Sequence, residues 1–327
     1  MNQSIIAAAV AAAVVAVPAA NAGVQIYGQV HVSIDMLDRD GFSSEDQWNV
    51  MSRSSRIGFK GTEDLGNGMS LIWKAETGYD FADGSAWGSS GRNAYIGLAG
   101  DWGAFLYGRH DSPYKMAWYS TGVDMLGDTL ADGNAMSGAA ENRFSNAIAY
   151  VSPNMNGLTF AAATVPGEGG GEGGSETGLA DGYAFAAMYS NNGLKLAAGK
   201  EDATDVTSTD NDDRWFFGAG FTMDAFTIAA NYVDDSKNYD GGKKKSINVA
   251  GSYAFGNNKL IATYAKDDHE WISDEDGWAI GLTHALSKRT TAYAVYATSD
   301  DDSGQTDNLN AEENSSSGFS LGMIHNF

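Results

Sequence analysis

From Gly23 onward the chain repeats one theme: about ten residues alternating apolar with small or polar side chains, then a turn or a loop. In the first run Val24, Ile26, Val30, Val32 and Ile34 share one face, and Gln25, Gln29, His31, Ser33 and Asp35 share the other. Trp215, Phe217, Ala219 and Phe221 alternate in the same way with Phe216, Gly218, Gly220 and Thr222. Phe226, Ile228, Ala230 and Tyr232 oppose Thr227, Ala229 and Asn231. Ile247, Val249, Gly251, Tyr253 and Phe255 oppose Asn248, Ala250, Ser252 and Ala254. A period of two is that of a β-strand, whose successive side chains point to opposite sides. One greasy and one wet face suit a sheet that separates lipid from water.

The connections alternate in length. Tight turns are expected at residues 63–68, 100–103, 153–157, 191–193, 222–225, 256–258 and 286–289, all rich in Gly, Asn, Asp, Ser or Pro. Between them lie longer acidic stretches at 38–52, 83–90, 111–142, 167–181, 202–213, 234–245, 267–276 and 300–317. These seven turns and eight loops join sixteen strands, an even number that leaves both ends on one side. The expected fold is all-β: a 16-stranded antiparallel transmembrane β-barrel, with short turns at one rim and long loops at the other. A barrel of that size encloses water, whereas smaller ones fill with side chains.

Residues 1–22 differ from the rest. Ile5 to Val17 is apolar but too short to span a bilayer, and Pro18 and Ala20-Asn21-Ala22 follow it, the pattern of a cleaved signal peptide. The segment before the apolar run, Met1 to Ser4, carries no Lys or Arg. Residues 23–327 form the one expected domain, with no later run of the about 20 apolar residues that a membrane helix needs. A mean hydropathy of −0.29 fits strands that alternate between lipid and water. With no Cys, the exported chain forms no disulfide. A net charge of −22 opposes nucleic acid as a partner.

Catalytic chemistry finds no foothold. None of the five His has a Ser partner in a recognisable pattern, and no Gly-x-Ser-x-Gly elbow occurs, so no enzyme and no catalytic residue is expected. The acidic runs Asp210-Asn211-Asp212-Asp213 and Asp300-Asp301-Asp302-Ser303-Gly304 do not have EF-hand spacing, and neither a metal nor a cofactor is expected.

Three segments resemble the trimeric general diffusion porins of Gram-negative outer membranes. Ser55-Arg56-Ile57-Gly58-Phe59-Lys60-Gly61-Thr62-Glu63-Asp64-Leu65-Gly66-Asn67-Gly68 looks like that family's second strand and first periplasmic turn. The ending Gly318 to Phe327 looks like its last strand, with Phe319, Leu321, Met323, His325 and Phe327 on the lipid side as the signal read by the barrel-insertion machinery. His325 is polar where an apolar residue is more usual. Tyr107-Gly108-Arg109, Val123-Asp124-Met125-Leu126 and Asn142-Arg143-Phe144 resemble strand five, an inward-folded third loop and strand six. The proline and Glu-Phe-Gly-Gly stretch of enterobacterial relatives are missing from that loop, where Gly127 and Asp128 stand.

The resemblance implies a homotrimer that passes small hydrophilic solutes and ions through water-filled pores, with outer-membrane lipid around it. Parity turns Arg56 and Lys74 into the lumen, and the resemblance adds Arg92 and Arg143 as a basic wall. Asp124, Asp128 and Asp132 on the third loop would face it across a constriction. Acidic loops at the mouth point to a mild cation preference, which arginines at the narrowest point could reverse. Trp118 and Tyr119 are candidates for an aromatic track in a substrate-specific channel on the same fold.

Overall fold

The computed structural model describes residues 23–39, 47–88, 90–132, 142–167, 178–203, 213–238, 242–270, 274–301 and 316–327. Residues 1–22, expected to be a signal peptide, lie outside them. The strands are β1 (Gln25–Arg39), β2 (Gln47–Ser52), β3 (Arg56–Gly66), β4 (Met69–Gly78), β5 (Ser90–Gly100), β6 (Gly103–Asp111), β7 (Arg143–Val151), β8 (Leu158–Val165) and β9 (Gly182–Asn191). They continue as β10 (Leu194–Asp202), β11 (Asp213–Met223), β12 (Phe226–Asn238), β13 (Gly242–Phe255), β14 (Asn258–His269), β15 (Glu275–Ala285), β16 (Thr290–Asp301) and β17 (Ser316–Asn326). Among the described residues one helix, α1 (Pro113–Ser120), lies between β6 and β7.

From β3 to β17 each strand pairs antiparallel with the next. Then β17 returns to β1, from Gln29 opposite Asn326 to Arg39 opposite Ser316, and the sheet closes. The ring has sixteen strands. The extra one is β2, which lies along the outer half of β1 (Val32–Leu37) while β3 takes the inner half (Gln25–Gln29). The break between them is at Ser54, whose φ is +43°.

All seven expected turns join paired strands. Asn67-Gly68 and Asn192-Gly193 have positive φ at both residues, the backbone of a two-residue type I′ hairpin and the reason for the Asn-Gly pairs. The loop side differs from expectation in four places. A strand, β2, occupies part of 38–52, and α1 part of 111–142. The β12–β13 ladder persists to Asn238 and Gly242, and β14–β15 to Asp267 and Glu275, within stretches read as loops. Beyond the bilayer both faces of a strand meet water, so the apolar half of the alternation vanishes while the hydrogen-bonded ladder goes on.

The two faces match the parity. Phe217 and Ile228 are 59% and 60% exposed on the outside, whereas their neighbours Phe216 and Asn231 are buried inside. Aromatics gather at the short-turn rim: Trp102 stacks on Tyr150 with centroids 6.5 Å apart, and Phe226 lies 4.6 Å from Tyr253. Rings with an apolar body suit a membrane interface. The buried cluster is inside the ring, where the third loop meets the wall.

Candidate functional site

The third loop is held against the inner wall by residues with little or no side chain. Ser112 begins α1: its Oγ accepts the Lys115 N–H at 3.2 Å, and Pro113 follows at the first helical position. The helix packs against β9, β10 and β11. Tyr114 meets Phe216 edge to face at 5.0 Å, and the Trp118 carbonyl accepts from Asn231 Nδ2 at 3.1 Å. Thr121 lies over Gly218 and Gly220, where an added Cβ would strike it. Farther round the ring, Leu126 covers Gly281, and Leu130 covers Gly318 beside Leu37. Strands β11, β15 and β17 thus each supply a glycine beneath a loop side chain or carbonyl, and the loop runs across the lumen from β9 to β1. This is the inward fold expected of it.

Opposite the loop, β1, β3, β4 and β5 present a charged wall. Glu76 is its centre. Its Oε1 takes Arg92 Nε at 2.6 Å, and its Oε2 takes Lys74 Nζ at 3.2 Å and Tyr27 Oη at 2.8 Å. Lys60 and Lys74 stand 5.1 and 5.4 Å from the Tyr27 ring centre, within cation–π range. Arg56 donates to Gln29 Oε1 at 3.1 Å and to the Ser54 carbonyl at 3.0 Å. Arg92 shares this face because a bulge shifts the β4–β5 register between Ala75 and Thr77. Without the bulge it would share the outward parity of Ala94 and Ile96.

A second group adjoins the first. Arg143 Nε donates to Asp111 Oδ1 at 2.9 Å and to Asn93 Oδ1 at 3.1 Å, and Lys115 Nζ lies 3.4 Å from Asp111. Higher on β1, Asp35 pairs with Arg53, and His31 Nε2 lies 2.8 Å from Tyr293 Oη. His31 is therefore buried on the lumen side, with a partner across the seam.

The structure divides the loop aspartates. Asp128 lies within electrostatic range of Arg56, Arg92 and His31. Asp124 Oδ1 accepts the Gly127 N–H at 3.0 Å, and Asp124 borders a small space lined by Asn248, Thr263 and Ala265 on β13 and β14. The Asp132 N–H donates to the Thr129 carbonyl at 3.2 Å, at the end of the described part of the loop. Trp118 is 1% exposed and packed in the loop, so it forms no aromatic track in the lumen.

Sequence reasoning singled out Arg56, Lys74, Arg92 and Arg143, and missed Tyr27, Lys60, Asn93, Asp111 and Lys115. The signal for two of them was available: Tyr27 has the parity of Gln25 and Gln29, and Lys60 that of Arg56. In the last strand Leu321 and Met323 point outward, about half exposed, and Ser320 is buried on the other side. Phe327 exchanges two backbone hydrogen bonds with Gly28, both 3.1 Å, and His325 Nδ1 lies 2.9 Å from Thr290 Oγ1. The polar exception in that row thus has a polar neighbour on β16.

Comparison with known proteins agrees with this geometry. The family described as Gram-negative porin matches residues 7–304. The major outer membrane protein P.IB of Neisseria meningitidis serogroup B is 28% identical, over 89% of this chain and 91% of that protein. A chitoporin of Vibrio furnissii is 27% identical, over 75% of this chain and 70% of its own length. Among solved structures, an anion-selective porin from Comamonas acidovorans superposes with a TM-score of 0.79 at 23% identity, over 93% of this chain and 99% of that one. A closed sixteen-strand ring, a loop folded into it and a family match along nearly its whole length show that the chain belongs to the Gram-negative porins, the outer-membrane channels of passive diffusion.

Proposed function

We propose that the passage between Asp128 and the Arg56–Arg92 wall is the constriction of a general diffusion pore, and that it prefers anions weakly. The observation that carries this is the charge of the wall: Arg56, Lys60, Lys74, Arg92 and Arg143 outnumber Glu76, Asp111 and Asp128. Cations along one side and a carboxylate on the other set a field across the path, which orders water and polar solutes and resists apolar ones. The acidic loops at the mouth act in the opposite sense, but a constriction with low-dielectric walls focuses the field more strongly than an open rim. The Comamonas acidovorans structure, described as anion-selective, supports the same sign.

Small hydrophilic solutes and ions are the cargo, and lipid covers the apolar belt. Three copies assemble, as in the trimer form of OmpT of Vibrio cholerae, which has this fold. Residues 1–22 act as the export leader, supported by their apolar run and Ala20-Asn21-Ala22. The outward row Phe319, Leu321, Met323, His325 and Phe327 is the segment read during insertion, supported by its place at the closing seam.

Reversal potential across a salt gradient in planar bilayers tests the constriction. The wild type should favour anions, and a variant carrying Arg56→Gln and Lys60→Gln should move toward cations. A wild type that favours cations, or a potential the double substitution leaves unmoved, would count against the assignment.

A further inference from the structure

We propose that Asp267, His269 and Glu275 form a binding site for a divalent first-row transition cation, on the lumen side of the loop rim, where it ties β14 to β15. The register builds the site. Asp267 and Glu275 are direct partners across the antiparallel pair. His269, two residues beyond Asp267, returns to the same inward face. One ligand atom from each lies within 4.8 Å of the other two, and His269 Nε2 is 3.9 Å from Glu275 Oε1. Ligands about 2.1 Å from a tetrahedral ion are separated by about 3.4 Å, so small side-chain rotations would close the set.

An independent observation points to a missing ligand. Asp267 is 1% exposed; Lys244 holds its Oδ2 at 3.1 Å and Ser246 hydrogen-bonds the carboxylate, yet its Oδ1 is buried without a hydrogen-bond partner among the described residues. A buried carboxylate oxygen left so is costly. A cation would satisfy it while Lys244 kept the other oxygen. Asp235 on β12 also lies within electrostatic range of Asp267 and adds negative charge to the locality. One imidazole nitrogen with two carboxylates suits zinc and its neighbours better than calcium or magnesium, which take oxygen alone.

Zinc is the probe, applied to the whole barrel refolded in detergent and followed by isothermal titration and by thermal melting. The wild type should bind one strong equivalent of zinc per chain and melt at a higher temperature with zinc than with chelator. His269→Ala and Glu275→Gln should each weaken that equivalent by about tenfold or more. Calcium should neither compete for it nor raise the melting temperature to the same extent. Zinc affinity unchanged in both variants, displacement by calcium at equal concentration, or a wild type that takes up no strong equivalent would each overturn the site. Should one variant fail to refold, the other and the chelator comparison decide alone.

Discussion

Two residues show how strictly position governs chemistry here. Glu76 joins Arg92, Lys74 and Tyr27, so it neutralises part of a wall that is otherwise basic. A unit charge about 5 Å away in water is worth about 0.8 kcal/mol. Glu76→Gln should therefore raise the anion-to-cation permeability ratio by about two- to fourfold, read from reversal potentials. Gly28 is a second case, since a side chain there would collide with the Phe327 ring and the Arg56 carbonyl, while a Cβ at Gly91 meets nothing within 4 Å. Gly28→Val should lower the yield of folded barrel, seen as heat-modifiable migration on gels, and Gly91→Ala should not. Arg56 and Lys74 were legible from alternation alone. Arg92 was not, because one bulge between Ala75 and Thr77 reverses its face and leaves no mark in composition. Nor did alternation separate Asp128 from Asp124: both lie on a loop, where no period fixes direction.

At the scale of elements, the third loop depends on α1 and on the glycines beneath it. Ser112 followed by Pro113 is a helix start by its chemistry, and it was the readable sign of α1 inside a stretch taken as loop. Removing the cap with Ser112→Ala should cost about 1 kcal/mol, or about fivefold in the balance between the docked loop and looser forms. Single-channel records should then show more frequent closures or substates. Replacing Gly220 by Val should act more strongly, because the Thr121 carbonyl lies where its Cβ would go. Strands past the bilayer were read too short for a related reason. In the β12–β13 hairpin, Lys243 and Lys245 face outward, Lys244 and Ser246 inward, and a sequence polar on both faces looks like loop.

For the whole molecule, two solvents act on one sheet. Phe217 and Gly218 are chain neighbours on opposite faces, and the energetic rules differ between them. Phe217→Arg puts a charge toward lipid and should cost about 2–4 kcal/mol near the midplane. Urea titration of the barrel in vesicles, compared with the wild type, measures that loss. The lumen follows aqueous electrostatics instead. Raising salt from 0.1 M to 1 M shortens the screening length from about 10 Å to about 3 Å, so ion preference should fall toward neutrality while the pore stays open. The architecture was the most legible level of all, because alternating faces and alternating connection lengths are properties of the entire chain.

The contact between Gly28 and Phe327 has a consequence for how the protein is made. The strand that leaves the ribosome first finds its second neighbour only in the strand that leaves last, so the cylinder has no finished form during synthesis. Until then both margins of the sheet offer unsatisfied amides and carbonyls to any strand that passes. Long-range pairing of this kind is slow. Such a polypeptide needs escort across the aqueous space before its destination, and removing the whole of β17 should leave a gutter in place of a tube.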